Sequence, residues 1–160
     1  MIAIIRVRED GKSYALCQLD LMRFTEDQVR ERMSERGIRD DAFFICGFSD
    51  WSVDVVMSLQ DAYILKHCIN VVYDGDDSVV VQLLQNKKSV RDIVSSYYVF
   101  LTSDEKEALK KMIGDADVDS VVDFWFRTIT PANALNAYIN QGYLLLLSKG
   151  FYQNIVKEGG

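Results

Sequence analysis

The chain has 160 residues, 49% of them apolar and 26% charged, with a net charge of -6 and a pI near 4.8. Such a composition folds, and its acidity excludes a conventional DNA-, RNA- or anionic-membrane-binding protein, which needs a basic face. Three cysteines, Cys17, Cys46 and Cys68, have no paired spacing and read as buried, reduced thiols of a cytoplasmic protein.

Residues 2–8 are aliphatic and β-branched, Glu9-Asp10-Gly11-Lys12-Ser13 signals a turn, and Tyr14 to Leu21 is apolar again. This predicts a β-hairpin. The apolar start is broken by Arg6 and Arg8, too soon for a secretory leader, and the run Tyr143 to Leu147 is far short of a membrane span. Thr25-Glu-Asp-Gln28 is a capping box, opening a helix that runs to about Arg36 with Gly37 at its C-terminal cap. Ala42 to Phe48 follows as an apolar strand, so residues 1–52 are expected to form a β-β-α-β unit with one helix covering a small sheet.

Residues 53–96 change character. Ser58 caps a helix with Leu59, Ala62, Tyr63, Leu65, Ile69 and Val72 at helical spacing, and Asp74-Gly75-Asp76-Asp77 ends it. A short helix from Ser78 to about Gln85 and another from Ser89 complete a helical middle. Residues 97–160 are mixed: a strand from Tyr97 to Leu101, a helix opened by Thr102 to Glu105 and ending at Gly114, and a helix from Thr130-Pro131 to Gly142. Val118 to Thr128 suits a helix, although Val121, Val122 and Phe124 to Phe126 also suit a strand. Tyr143 to Ser148 and Phe151 to Val156 form a terminal hairpin around Lys149-Gly150. The expected fold is therefore α+β, in three small packed subdomains.

Catalytic and metal-binding signals are missing. His67 is the only histidine, and its neighbour Cys68 points about 100° away from it on a helix. Asp74 to Asp77 begins like a calcium loop, but the twelfth position falls on the neutral Gln85. No glycine-rich phosphate loop occurs, and no cofactor is expected. The aromatic groups Phe43, Phe44, Phe48 and Trp51, and Phe124, Trp125 and Phe126, read as core rather than as stacking platforms, because acid surrounds both. Leu144, Leu145, Leu146 and Leu147 suit either a strand buried on both faces or a subunit interface, with a homodimer as the possible result.

What stands out is where the acidity lies. Residues 38–86 hold eight carboxylates, Asp40, Asp41, Asp50, Asp54, Asp61, Asp74, Asp76 and Asp77, against Arg39 and Lys66 alone. That segment carries the net charge of the whole chain. Asp104, Glu105, Asp115, Asp117, Asp119 and Asp123 extend the track, and Lys87, Lys88 and Arg91 interrupt it. A one-sided acidic stretch repels nucleic acid and attracts the basic surfaces that grip it.

The order of elements resembles the ArdA family of antirestriction proteins, DNA mimics carried by mobile genetic elements. The matching pieces are the Gly11 turn, Gln18-Leu-Asp-Leu21 before the Thr25-capped helix, and Ala42-Phe-Phe-Ile-Cys46 followed by Gly-Phe-Ser-Asp50. Ser58-Leu-Gln-Asp61 and Leu135-Asn-Ala-Tyr-Ile-Asn140 also match, Asn140 standing where the family has aspartate. The resemblance implies a non-enzymatic protein that pairs through its C-terminal portion and fills the DNA-binding groove of Type I restriction–modification enzymes. Duplex DNA carries one charge per ~1.7 Å of axis, so a net charge of -6 imitates ~10 Å and all 24 carboxylates ~41 Å. Mimicry on this scale requires the 18 bases to pair internally or face elsewhere. A protein-docking module using the apolar C-terminal strand is the alternative, and a hydrolase with a thiol or carboxylate near His67 is a third reading.

Overall fold

Strands β1 (Ile2–Glu9) and β2 (Lys12–Asp20) pair antiparallel through a two-residue turn, Glu9 opposite Lys12. Asp10 and Gly11 both have positive φ, 49° and 76°, the left-handed geometry that Asp-Gly reaches at least cost and that matches the strand twist. The structure is a computed structural model and describes residues 1–114, 117–127 and 130–157. By backbone proximity these form two units, Met1–Val94 and Ser95–Gly160.

In the first unit a 3-10 turn (Leu21–Arg23) leads into α1 (Glu26–Glu35), whose capping box is complete: Gln28 N–H donates to Thr25 Oγ1 at 3.2 Å and Thr25 N–H to Gln28 Oε1 at 2.9 Å. Strands β3 (Phe43–Phe48) and β4 (Val53–Met57) complete a four-stranded antiparallel sheet in the order β2-β1-β3-β4. Strand β4 lies beyond the expected β-β-α-β unit, so the sheet crosses the 52/53 boundary. It is short, and its register against β3 shifts between Ile45 and Gly47, which blurs the alternation that announces a strand.

Helices α2 (Leu59–Val72), α3 (Ser78–Gln85) and α4 (Val90–Val94) follow. Ala3, Ile5, Leu21, Val29, Ile45, Phe48, Leu65 and Ile69 are buried, each large aliphatic contributing roughly 1.5–3 kcal/mol. Alternation puts Ala3 and Ile5 on one face of β1, while α2 buries Ala62, Leu65 and Ile69 at helical spacing and lies against β3.

The second unit has β5 (Tyr98–Thr102), α5 (Glu105–Gly114), α6 (Val118–Arg127), α7 (Pro131–Asn140), β6 (Leu144–Leu147) and β7 (Gly150–Asn154). Its antiparallel sheet has the order β5-β7-β6, and Leu144 and Phe151 meet Ala108, Met112 and Leu135 in its core. The one buried polar residue of the described chain, Asn154, donates to the Gly142 carbonyl at 3.1 Å and accepts from Tyr97 N–H at 3.3 Å. Helix wins over strand for Val118–Arg127, an end left open by the residue types.

No helix among the described residues is long and apolar enough to cross a membrane. Gly47 is where β3 and β4 approach most tightly, because a Cβ there would stand 2.5 Å from the Val53 carbonyl oxygen. Gly47→Ala is expected to cost roughly 1–3 kcal/mol of unfolding free energy in urea denaturation; a change within a few tenths would contradict this packing.

Candidate functional site

One of the middle carboxylates, Asp77, meets Trp51. The tryptophan is buried, as the sequence suggests, with its ring 4.7 Å from that of Phe48. Its indole N–H donates to Asp77 Oδ2 at 2.8 Å, and Gln85 Nε2 donates to its carbonyl at 3.4 Å. The β3–β4 turn, with Asp50 and Asp54 at its edges, is thereby joined to the α2–α3 loop carrying Asp74, Asp76 and Asp77. Asp77 precedes α3 but makes no side-chain cap, since its carboxylate serves Trp51. Asp76 does that work, accepting from Ser78 N–H at 2.9 Å and from the Ser78 hydroxyl. Asp54 and Asp74 face solvent, and Asp61 is half-buried in the first turn of α2, behind the Ser58 cap.

Other carboxylates of this segment are neutralised. Asp50 lies 2.6 Å from the N-terminal ammonium and accepts from Ile2 N–H at 2.7 Å. Burial pushes its carboxyl upward, but those bonds outweigh burial and hold it below the usual range. Asp40 pairs with Arg30 at 2.8 Å and Asp41 with Arg39 at 3.2 Å. Both precede β3, whereas Trp51 follows it, so about 20 Å of strand separates them from the Trp51 cluster. The Trp51–Asp77 bond therefore links the turn after β3, which carries Asp50, to the loop of Asp74, Asp76 and Asp77, and leaves Asp40 and Asp41 apart.

Between residues 53 and 86 there is one base, Lys66. Its ammonium is turned inward, donating to the Leu21 carbonyl at 2.7 Å and the Phe24 carbonyl at 3.0 Å. The Tyr63 hydroxyl donates to the same Phe24 oxygen at 2.8 Å, with Lys66 Nζ 5.2 Å from the Tyr63 ring. Burial, then the charge of Glu26, pushes the Tyr63 hydroxyl up to about 12, keeping it a donor. Arg30 is likewise held by Glu26, at 2.6 Å, as well as by Asp40. Nothing in residue spacing announced this capture, since it joins α2 to a turn some forty residues earlier.

In the second unit Asp104 caps α5, accepting from Glu107 N–H at 2.8 Å, and Glu105 lies exposed in the first turn. Asp117 caps α6, accepting from Ser120 N–H at 2.9 Å and its hydroxyl at 2.6 Å, which holds the carboxyl below its usual range. Asp119 and Asp123 are exposed; Asp115 lies outside the described residues. Leu144 and Leu145 are buried, Leu147 is half-buried and Leu146 is 50% exposed on the edge strand β6.

One expectation needs correcting. Trp125 is 61% exposed and not core, while Phe124 turns inward with its ring 4.9 Å from that of Tyr138. Successive helical residues point about 100° apart, so adjacent aromatics cannot share one buried side.

Lys87, Lys88 and Arg91, which follow α3, are exposed. His67 is exposed while Cys68 is buried, its thiol pushed up by burial. Among the described residues, no group of three or more histidine, cysteine, aspartate or glutamate side chains is placed to hold a metal ion. A groove of about 550 Å³ between α6 and α7 is lined by amides over Phe124, with Asp123 and Arg127 balancing, and has no histidine or cysteine in its wall.

No protein-family model, curated protein or solved structure matches the chain. The burial of Tyr63 has a consequence at high pH. A hydroxyl whose folded pKa exceeds its unfolded one stabilises the fold fully below pH ~10, and that contribution is lost as pH rises towards ~12. Tyr63→Phe is expected to flatten the alkaline limb of a stability–pH profile; an unchanged limb would contradict the burial of this hydroxyl beside Glu26.

Proposed function

We propose that the chain is a non-enzymatic, cytoplasmic DNA mimic that occupies the duplex-binding groove of a Type I restriction–modification complex. The observation that carries this reading is the withdrawal of Lys66. Its ammonium serves backbone carbonyls, so the five carboxylates of residues 53–86, Asp54 and Asp74 exposed among them, have no exposed lysine or arginine in their own segment. An acidic surface is what a phosphate-binding groove attracts. Five charges correspond to about 8.5 Å of duplex axis. The element order of the ArdA family supports the same reading, as does the internal pairing of Arg30 and Arg39. Leu146, exposed on an edge strand, is where two copies would pair.

Asparagine keeps the shape of aspartate and suits the positive φ of 50° at Asp74. A variant carrying Asp54→Asn, Asp61→Asn and Asp74→Asn should therefore fold. It is expected to lose roughly tenfold or more of its protection of incoming DNA against Type I restriction in cells, given the share of charged contacts removed. Full protection by the folded variant would refute the reading.

A further inference from the structure

We propose that the groove between α6 and α7 binds a neutral saccharide. The site stands apart from the mimicry and survives if that reading fails. Asp123, Phe124 and Arg127 of α6 and Asn133, Asn136 and Asn140 of α7 line a volume of about 550 Å³, within the usual range for a small-molecule site. The three asparagines fall at i, i+3 and i+7, one side of α7, and Asp123 and Arg127 stand one turn apart on α6. Such stripes are where neighbouring helices ordinarily pack apolar residues. Burying an unpaired amide or charge costs roughly 1–3 kcal/mol or more, so a seam made of them stays open.

The chemistry of the wall selects the ligand. A carboxamide both donates and accepts, as a sugar hydroxyl does, while Asp123 adds acceptors and Arg127 donors. Among the described residues, no side-chain hydrogen bond or ion pair engages Asp123, Arg127 or the three asparagines. Gln28, Gln85 and Asn154, by contrast, spend their amides inside the chain. One carboxylate against one guanidinium leaves no net charge to favour a phosphate or an ammonium. The apolar part of the described wall is Phe124 and Ala137, too little for the side-chain pockets of a peptide and enough for the C–H flank of a sugar ring. Hydrolysis of a glycosidic bond takes a pair of carboxylates, and the described wall has Asp123 alone, so the site binds without cleaving.

The test is an NMR titration of the isotope-labelled full chain with maltotriose, cellotriose and chitotriose, and with adenosine and trialanine as probes of other chemistry. At least one trisaccharide is expected to shift the side-chain amide signals of Asn133, Asn136 and Asn140 saturably. Asn136→Ala and Arg127→Ala are each expected to weaken that binding about tenfold, the loss of one hydrogen bond. Alanine is the best helix former, so both variants should keep α6 and α7. No saturable shift with any trisaccharide, shifts confined to signals elsewhere, the same shifts with glycerol, or unchanged affinity in either variant would overturn the proposal. Saturation by adenosine or trialanine alone would assign the groove to another class of ligand and overturn it as well, as would cleavage of a trisaccharide. Should a variant fail to fold, the wild-type amide signals decide.

Discussion

The ammonium of Lys66 is held by the carbonyls of Leu21 and Phe24, and much of the first unit depends on that contact. Those oxygens belong to the 3-10 turn and to the approach to α1, where the chain leaves the hairpin before a helix has formed. With Tyr63 donating to Phe24 as well, α2 is fastened to the start of α1 by two side chains one turn apart. Hydrogen bonds to a charged donor contribute more than neutral ones, roughly 1.5–3 kcal/mol each, so a half-buried lysine is tolerated there. The same contact removes the segment's sole cation from its acidic surface.

The carboxylates of this chain divide by what they hold. Asp76, Asp104 and Asp117 accept from serine groups or helix-opening amides, Asp77 anchors Trp51, and Asp50 meets the N-terminal ammonium. Asp40 and Asp41 are spent on arginines. Asp54, Asp74, Asp119 and Asp123 face water with no ion pair among the described residues. A cap does not consume its charge, so Asp76 and Asp117 contribute field as well as structure. The density of acid that marks residues 38–86 is thus partly structural, and the exposed remainder is the part available to a partner. Along the chain, the exposed Lys87, Lys88 and Arg91 end the acidic segment.

Local chemistry was legible because its signals are local. The Asp10-Gly11 turn, the Thr25–Gln28 box, and the Ser58 and Thr130 caps each act within a few residues, and each is where spacing places it. Strand β4 was not, because a five-residue strand with a register shift shows no sustained alternation. Trp125 departs from the core that three successive aromatics suggest, because helical geometry turns it about 100° from the inward Phe124. Of the site, the excess of aspartate was visible. The Trp51–Asp77 bond, the neutralisation of Asp50 and the capture of Lys66 were not, since each joins residues far apart in sequence.

Mimicry makes one demand that apolar docking does not: the protein and a DNA duplex must exclude each other. Competition between the chain and a fluorescent duplex for a purified Type I restriction–modification complex measures this directly. Complete displacement at low salt, with an apparent affinity that falls steeply as salt rises, is predicted. Simultaneous occupancy by duplex and protein, or displacement indifferent to salt, would contradict it.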